Sequence, residues 1–527
     1  MVTSITRTDA HSPSHAQSHA QSHAPSHAQA GIATASIPTQ LFFLLLIHVL
    51  LWTWVGISSR SNFDGPGDMV EAYAWAQGWQ WGYYKHPPLS AWVAGLWFAV
   101  VPESHGGYSL LAALNGAIGL AGLAVLAREF LPRNWVLLVV AAASLTPGIS
   151  SLAMRFNANA ILISTWPWAI ALFVRWMQRG RPQDALLCGV ACALAMLGKY
   201  YSAVLLLTLL CAALWRPDWR QRLFSPTTLL MLGSGALCLA PHGLWLVAQS
   251  HGPLQYAQAT TGQETPGVSL MRAVTFASAQ VVFPLLALLT FALALQGPAR
   301  GRAVWQAASA IFRPRADVVW LLAVLPIVAT MLGTVATGAR TASVWGLPIC
   351  AGVALLAAQR ARDAGASLSL PRMWRTLFVI WLAVALLSPL WWLSRASLLT
   401  PGVTEPREEM AQALARAWQV DHGGSLPYIS GTRALATSTA FYASGHPRYF
   451  SLWNAAVETP WTDAGEILKR GAIIVCDVAD EKCQNLAETW SIDRRPLTVA
   501  KSVRGFQFPA QRYVFYLLHP LKSAATS

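Results

Sequence analysis

Apolar residues recur in long unbroken runs along this chain, not in the narrow periodic stripes of a soluble helix or the alternation of a half-buried strand. A bilayer is crossed by about 20 mostly apolar residues. Eleven such runs stand out, near 38–57, 106–127, 134–152, 158–175, 184–198, 200–215, 226–247, 272–296, 317–337, 342–358 and 374–395. The pattern predicts a polytopic α-helical membrane protein with about eleven transmembrane helices. The stretch Gly198-Lys199-Tyr200-Tyr201 divides two of these runs, which also read as one long broken helix.

The flanks differ. Before the first run, "HSPSHAQSHAQSHAPSHAQA" places His11, His15, His19, His23 and His27 four residues apart. Its Ser, Gln, Pro and Ala content buries too little apolar area to offset the entropy of ordering. Residues 1–37 are therefore expected to form a disordered His-rich cytoplasmic tail, with at most weak metal binding and no catalytic role. No cleavable signal peptide is expected, because an apolar core is lacking before the first run, which is long enough to stay as an anchor. Beyond the last run, charge returns in "TEPREEMAQALARAW", and apolar strands alternate with turns in "LPYISG" and "GAIIVCDV". Residues 398–527 thus read as a small extracytoplasmic α/β domain of about 130 residues, an ordinary size for an independent core. Between the flanks, residues 38–397 form the transmembrane domain, with a first outer loop at 58–105.

Composition fits a lipid environment: 54% of residues are hydrophobic and 11% charged, where a soluble chain would carry about a quarter charged. The net charge of +14 does not point to nucleic acid, because the arginines occupy short connections and form no single basic face. Sixteen arginines fall in alternate turns, at 128 and 133; 175, 179 and 181; 216, 220 and 222; 300, 302, 313 and 315; and 360, 362, 372 and 375. The other turns offer only Arg60, Lys85, Arg155, Lys199, Arg272 and Arg340. Positive residues favour the cytoplasm, so the first loop and the C-terminal segment are expected outside. Of the seven cysteines, Cys188, Cys192, Cys211, Cys238 and Cys350 lie in spans as small apolar side chains. Cys476 and Cys483 lie in the expected outer domain, where a bridge and two free thiols are both open.

The chemistry concentrates in "DMVEAYAWAQGWQWGYYKHPPLSAW", residues 68–92. Asp68 and Glu71 are three apart, so a helix through "DMVEAYAWAQGW" sets both on one face. With Trp75 and Trp79 beside them, that helix is expected to lie along the bilayer surface. Pro87-Pro88 stiffens the chain just after Lys85-His86 and fixes a cation and a titratable group in place.

This stretch resembles the first extracytoplasmic loop of bacterial glycosyltransferases of the protein O-mannosyltransferase-like branch of the GT-C superfamily. The matching features are an Asp near the loop start, then Gly-Tyr-Tyr and Pro-Pro-Leu. "RFNANAILISTWPWAIAL" at 155–172, "MLGKYYSAVLLL" at 196–207 and "PHGLWL" at 241–246 add to the resemblance, which spans roughly residues 38–400. It implies an inverting enzyme of the bacterial inner membrane that moves a sugar from a polyprenyl phosphate donor to an envelope acceptor on the periplasmic face. Acceptors in the family include lipid A, lipopolysaccharide, other glycolipids and proteins; the lipid A aminoarabinose and lipopolysaccharide galacturonosyl transferases are such relatives.

Asp68 is then expected as general base and Glu71 as support for the acceptor or a divalent ion. Lys85, His86, Tyr83 and Tyr84 fall on the phosphate or acceptor side. The chain departs from its relatives in having Asp68-Met69 where many have Asp-Glu. It has Asn157-Ala158-Asn159 where a second acid is common. Metal binding is therefore an open question, centred on Asp68 and Glu71. Asn157 and Asn159 read either as ligands for sugar or phosphate oxygens or as a helix cap. Lys199, followed by Tyr200, reads as a contact for the carrier phosphate or as a lysine snorkelling to the interface. Arg155, His242 and Arg340 are lesser binding candidates, with His242 also readable as structural. A non-enzymatic lipid or sugar transporter and an O-antigen ligase or polymerase are the alternative functions. A transporter is disfavoured because the opening loop has no repeat in the second half.

Overall fold

The computed structural model describes residues 36–63, 67–249, 252–259, 261–262, 264–315 and 317–521. The expected His-rich tail lies almost wholly outside these residues. Helix occupies part of every apolar run. The first helix, α1 (Ile37–Ser58), starts at Ser36, whose side chain accepts the Thr39 amide, with Pro38 in the first turn. It is followed by α2 (Asp68–Ala76), α3 (Leu89–Phe98), α4 (His105–Ala127), α5 (Arg133–Ser144), α6 (Ile161–Arg179) and α7 (Pro182–Gly198). A single turn at Tyr200–Ser202 leads into α8 (Ala203–Trp215). Then come α9 (Pro226–Ala248), α10 (Pro266–Val282), α11 (Leu285–Ala294), α12 (Val318–Thr337), α13 (Ile349–Asp363) and α14 (Leu370–Ser397).

Among the described residues, six helical segments are long and apolar enough to cross a bilayer: α1, α4, α9, α10 with α11, α12 and α14. The remaining apolar helices are shorter or more polar. α5 has only 12 residues, and every one from Trp135 to Ser144 is buried, so it works as bundle core. α6 carries Arg175 and Arg179 in its last turns. α3 was not expected; ten mostly apolar residues after Pro88 form a helix inside the predicted first loop. Small residues let the bundle close. A Cβ at Gly119 of α4 would lie 2.3 Å from the Ile163 carbonyl oxygen of α6, so only glycine permits this approach.

After α14 the chain forms α15 (Arg407–His422) and a five-stranded mixed sheet. Its strands are β1 (Tyr428–Gly431), β2 (Arg448–Tyr449), β3 (Ala472–Asp477), β4 (Arg494–Val499) and β5 (Gln511–Leu518). Their spatial order is β2-β1-β3-β5-β4, with β1 parallel to both neighbours and β5 antiparallel to both of its own. The helix α16 (Arg433–Tyr442) links β1 to β2. Ile473, Val475, Phe515 and Leu517 pack with Met410 and Leu414 on one face of the sheet. Ile474, Cys476 and Tyr516 pack with Ile467 and Cys483 on the other. Cys476 and Cys483 are joined by a disulfide.

This C-terminal sheet and its helices roof the loop that begins at Asp68. Tyr73 of α2 meets Phe441 of α16 at 5.0 Å between ring centres, and Trp461 abuts Tyr83 at 5.6 Å. The Gln77 side chain donates to the carbonyls of His446 and Pro447 and accepts the Tyr449 amide. The surface-lying helix expected from the sequence is thereby corrected. It ends at Ala76 instead of Trp79, and all its residues but Asp68 are buried. Trp75 is inside, stacked on Tyr83, while Trp79 and Trp81 remain exposed. The sequence pattern of α2 is apolar on all sides apart from its acids, which suits a helix enclosed by protein.

Candidate active site

Gly67 enters α2 with φ +81, and a Cβ there would also approach the Ala434 backbone to 3.3 Å. Asp68 and Glu71 then fall in the first turn, where the helix dipole favours negative charge. Their environments diverge. Asp68 is half-buried, whereas Glu71 is 4% exposed. Glu71 accepts a hydrogen bond from Lys85 Nζ at 2.8 Å and faces Arg433 Nε of α16 at 3.6 Å. Arg433 continues to Glu458 at 3.2 Å, which also accepts from Ser451 Oγ. Burial pushes the Glu71 carboxyl above the usual carboxylate range, and Lys85 and Arg433 pull it back only in part. Both oxygens are thus occupied by cations, and Glu71 ties the loop to the C-terminal roof.

Lys85 lies 5.3 Å from the Tyr84 ring centre and 5.7 Å from that of Trp75. Tyr84 buries its hydroxyl with no hydrogen-bond partner among the described residues, and burial together with Glu71 raises its pKa. Burial, then Lys199 and Lys85, hold His86 well below its ordinary value. Tyr83 has a structural part: its amide donates to the His86 carbonyl, closing the turn before Pro87.

The second contribution comes from the segment preceding α6 and from the break after α7. Asn157 Oδ1 accepts the amides of Asn159 and Ala160 at 2.9 and 3.2 Å, which is the cap reading. Asn159 instead turns its Oδ1 to Lys199 Nζ. Lys199 is 8% exposed, extended at the helix break, and its ammonium sits 4.3 Å from the Trp345 ring centre. Burial lowers the Lys199 pKa against the opposing charge of Asp68, and the Lys199 charge in turn reaches His86. The structure therefore gathers Asp68, Glu71, Lys85, His86, Asn159 and Lys199 in one region.

Three further candidates are engaged by other protein groups or line another cavity. Arg340 pairs with Glu264 at 3.1 Å, and Arg272 binds the same carboxylate at 3.0 Å, so its charge is spent on holding two span ends together. His242 donates Nδ1–H to the Trp81 carbonyl at 2.6 Å and accepts from Tyr200 Oη at 2.9 Å, which makes both residues props for the loop. Arg155 is exposed and lines a separate cavity. Arg433, Glu458 and Trp345 escaped the sequence reading. Arg433 joins Glu71 across 362 positions, and no local spacing encodes such a pairing. For the metal, the described residues contain no group of three His, Cys, Asp or Glu side chains arranged to hold an ion. Glu71, engaged by two cations, is a poor ligand.

Residues 85–245 match the family model for dolichyl-phosphate-mannose-protein mannosyltransferase, a span that includes Lys85, Asn159 and Lys199 and stops short of Asp68. No curated protein sequence matches. Among solved structures, ArnT from Cupriavidus metallidurans bound to undecaprenyl phosphate is 14% identical, with a TM-score of 0.58 over 93% of this chain and 99% of that one. The apo form of the same protein gives 14% identity and a TM-score of 0.43 over 92% and 99%. An oligosaccharyltransferase from Archaeoglobus fulgidus with zinc and sulfate gives 11% and 0.46 over 90% and 72%. The chain thus shares the fold of the ArnT structure, and its residues 85–245 match the family model for dolichyl-phosphate-mannose-protein mannosyltransferase.

Proposed function

We propose that the protein transfers a sugar from a polyprenyl phosphate donor to an acceptor hydroxyl with inversion at the anomeric carbon, with Asp68 as general base. The observation that carries this reading is the split between the two acids of α2. Glu71 is held between Lys85 and Arg433 inside the protein, while Asp68 is only half-buried and its charge bears on Lys199. Asp68 takes the proton of the acceptor hydroxyl as its oxygen bonds to the anomeric carbon. The carbon–oxygen bond to the phosphate breaks, and the departing polyprenyl phosphate meets the ammonium groups of Lys199 and Lys85. A phosphate leaving group needs positive charge and no protonated carboxyl. Asn159 holds Lys199 in position, and His86 offers a hydrogen bond to a sugar or phosphate oxygen.

The acceptor class we favour is an envelope glycolipid, with lipid A, lipopolysaccharide and protein as the family's range. The arginine asymmetry supports eleven spans in a bacterial inner membrane with the site and the C-terminal domain facing the periplasm. The test is turnover of purified Asp68→Asn with a polyprenyl phosphate sugar, beside a thermal-stability control. A lost base costs about 10²–10⁴-fold. Turnover near that of the wild type would remove Asp68 from this role, and movement of substrate with no new glycosidic bond would favour a transporter.

A further inference from the structure

A cavity of about 590 Å³ opens between the C-terminal end of α1, the segment 151–155 and the C-terminal half of α14. Three arginines line it, Arg60, Arg155 and Arg395, and no carboxylate does. Arg60 spends part of its guanidinium on the carbonyls of Met154 and Ser151. The guanidinium groups of Arg155 and Arg395 have no hydrogen-bond or ion-pair partner among the described residues. Arg395 is set beside Gly402, where a Cβ would come within 3.3 Å of its Nη2. Trp52, 6% exposed and part of the lining, buries an indole N–H with no acceptor among the described residues. The same cavity wall includes Trp391, exposed at 62%, and Leu387 at 58%. Neighbouring Leu386 and Leu390 are similarly uncovered on the outward face of α14.

Three like charges around one cavity repel one another, and an unpaired buried donor costs free energy. Both conditions are relieved by an anion that accepts hydrogen bonds. The adjoining face of α14 is apolar and belongs to a helix long enough to span a bilayer, so the anion arrives attached to an acyl chain. None of the groups gathered around Asp68 lines this cavity. We infer that the Arg60–Arg155–Arg395 cavity binds the phosphate headgroup of a membrane lipid, as a second anion site separate from the one formed by Lys85 and Lys199.

Native mass spectrometry of the detergent-purified full-length chain tests this, with phosphatidic acid and phosphatidylcholine of the same acyl chains as probes. Phosphatidic acid should be retained and phosphatidylcholine should not. Arg155→Gln with Arg395→Gln should weaken retention of one lipid equivalent by at least about tenfold, as expected for the loss of two charge-assisted contacts. Lys85→Met should leave that equivalent bound. Both arginines are at least partly exposed, so folding should survive, and Arg395→Gln alone provides a milder variant. The inference is overturned if the double variant keeps every bound equivalent, if only Lys85→Met releases lipid, or if phosphatidylcholine binds as well as phosphatidic acid. Equal competition by inorganic phosphate and by a short-chain phosphatidic acid would reduce the site to one for free anions and refute the lipid assignment. Because binding is read without sugar transfer, failure of this inference leaves the glycosyltransferase reading untouched, and the reverse holds too.

Discussion

Glu71→Gln separates a structural carboxylate from a catalytic one. The substitution keeps the side-chain volume and one acceptor for Lys85, but it leaves Lys85 without its counter-charge and Arg433 with Glu458 alone. Removing one partner of a fully buried pair costs about 3–5 kcal/mol. Lys85 is 12% exposed and belongs near that range, whereas Arg433 is 36% exposed, sits 3.6 Å away and keeps Glu458, so its share is small. The expected destabilisation is therefore at the lower end, about 3 kcal/mol. Thermal unfolding of the detergent-purified protein, followed by tryptophan fluorescence, should show a clearly lowered midpoint. The double variant Glu71→Gln/Lys85→Met should recover at least half of the loss, because replacing both partners removes the stranded charge. Turnover per folded molecule should fall far less than in Asp68→Asn. If Glu71→Gln is as stable as the wild type yet as inactive as Asp68→Asn is expected to be, Glu71 is the base and the proposed division of roles is wrong.

Trp345→Leu should raise the KM for a polyprenyl phosphate sugar about tenfold with little change in kcat, since a desolvated cation–π contact is worth roughly 1–2 kcal/mol and here it positions Lys199; steady-state kinetics with varied donor checks this. Lys501 donates to the Ser61 and Glu405 carbonyls and to Asn62 Oδ1, and burial lowers its pKa to about 8. The unfolded chain then binds more protons than the native one between about pH 8 and the ordinary lysine value, so stability should rise with pH across that window and Lys501→Met should abolish the rise.

How far the sequence foretold this arrangement depends on the range of each interaction. The apolar runs located helix at all eleven positions because lipid solvation is a local, additive property of a segment. Span lengths were less legible: α5 is a short helix covered by the bundle, and no local composition records what will cover a helix. The pairing of Lys85 with Glu71 lay within one loop and could be suspected from crowding alone. Arg433, Glu458 and Trp345 could not, since their relation to Asp68 and Lys199 exists only after the C-terminal sheet and the span ends have come together. The partners of His242 and Arg340 were hidden for a related reason. An ionisable residue near a span end is equally well satisfied by a backbone carbonyl or an acid from a neighbouring span, and only packing decides between those partners and a substrate.

On the proposed reading, that dependence on packing lets one α-helical turn carry two acids with different duties. Neighbouring carboxylates raise each other's proton affinity, and burying both would favour their neutral forms. Here the C-terminal roof covers Glu71 and supplies Arg433 as a second counter-charge, so this charge is spent within the protein. Asp68, one turn earlier, is only half-buried, which on the proposed reading lets an acceptor hydroxyl reach it. A roof that also covered Asp68 would exclude the acceptor, and a loop without the roof would leave Glu71 and Lys85 to solvent and lose the fixed placement of Lys85. The C-terminal sheet, although far away in sequence, is on this argument a structural component of the site that the first loop forms.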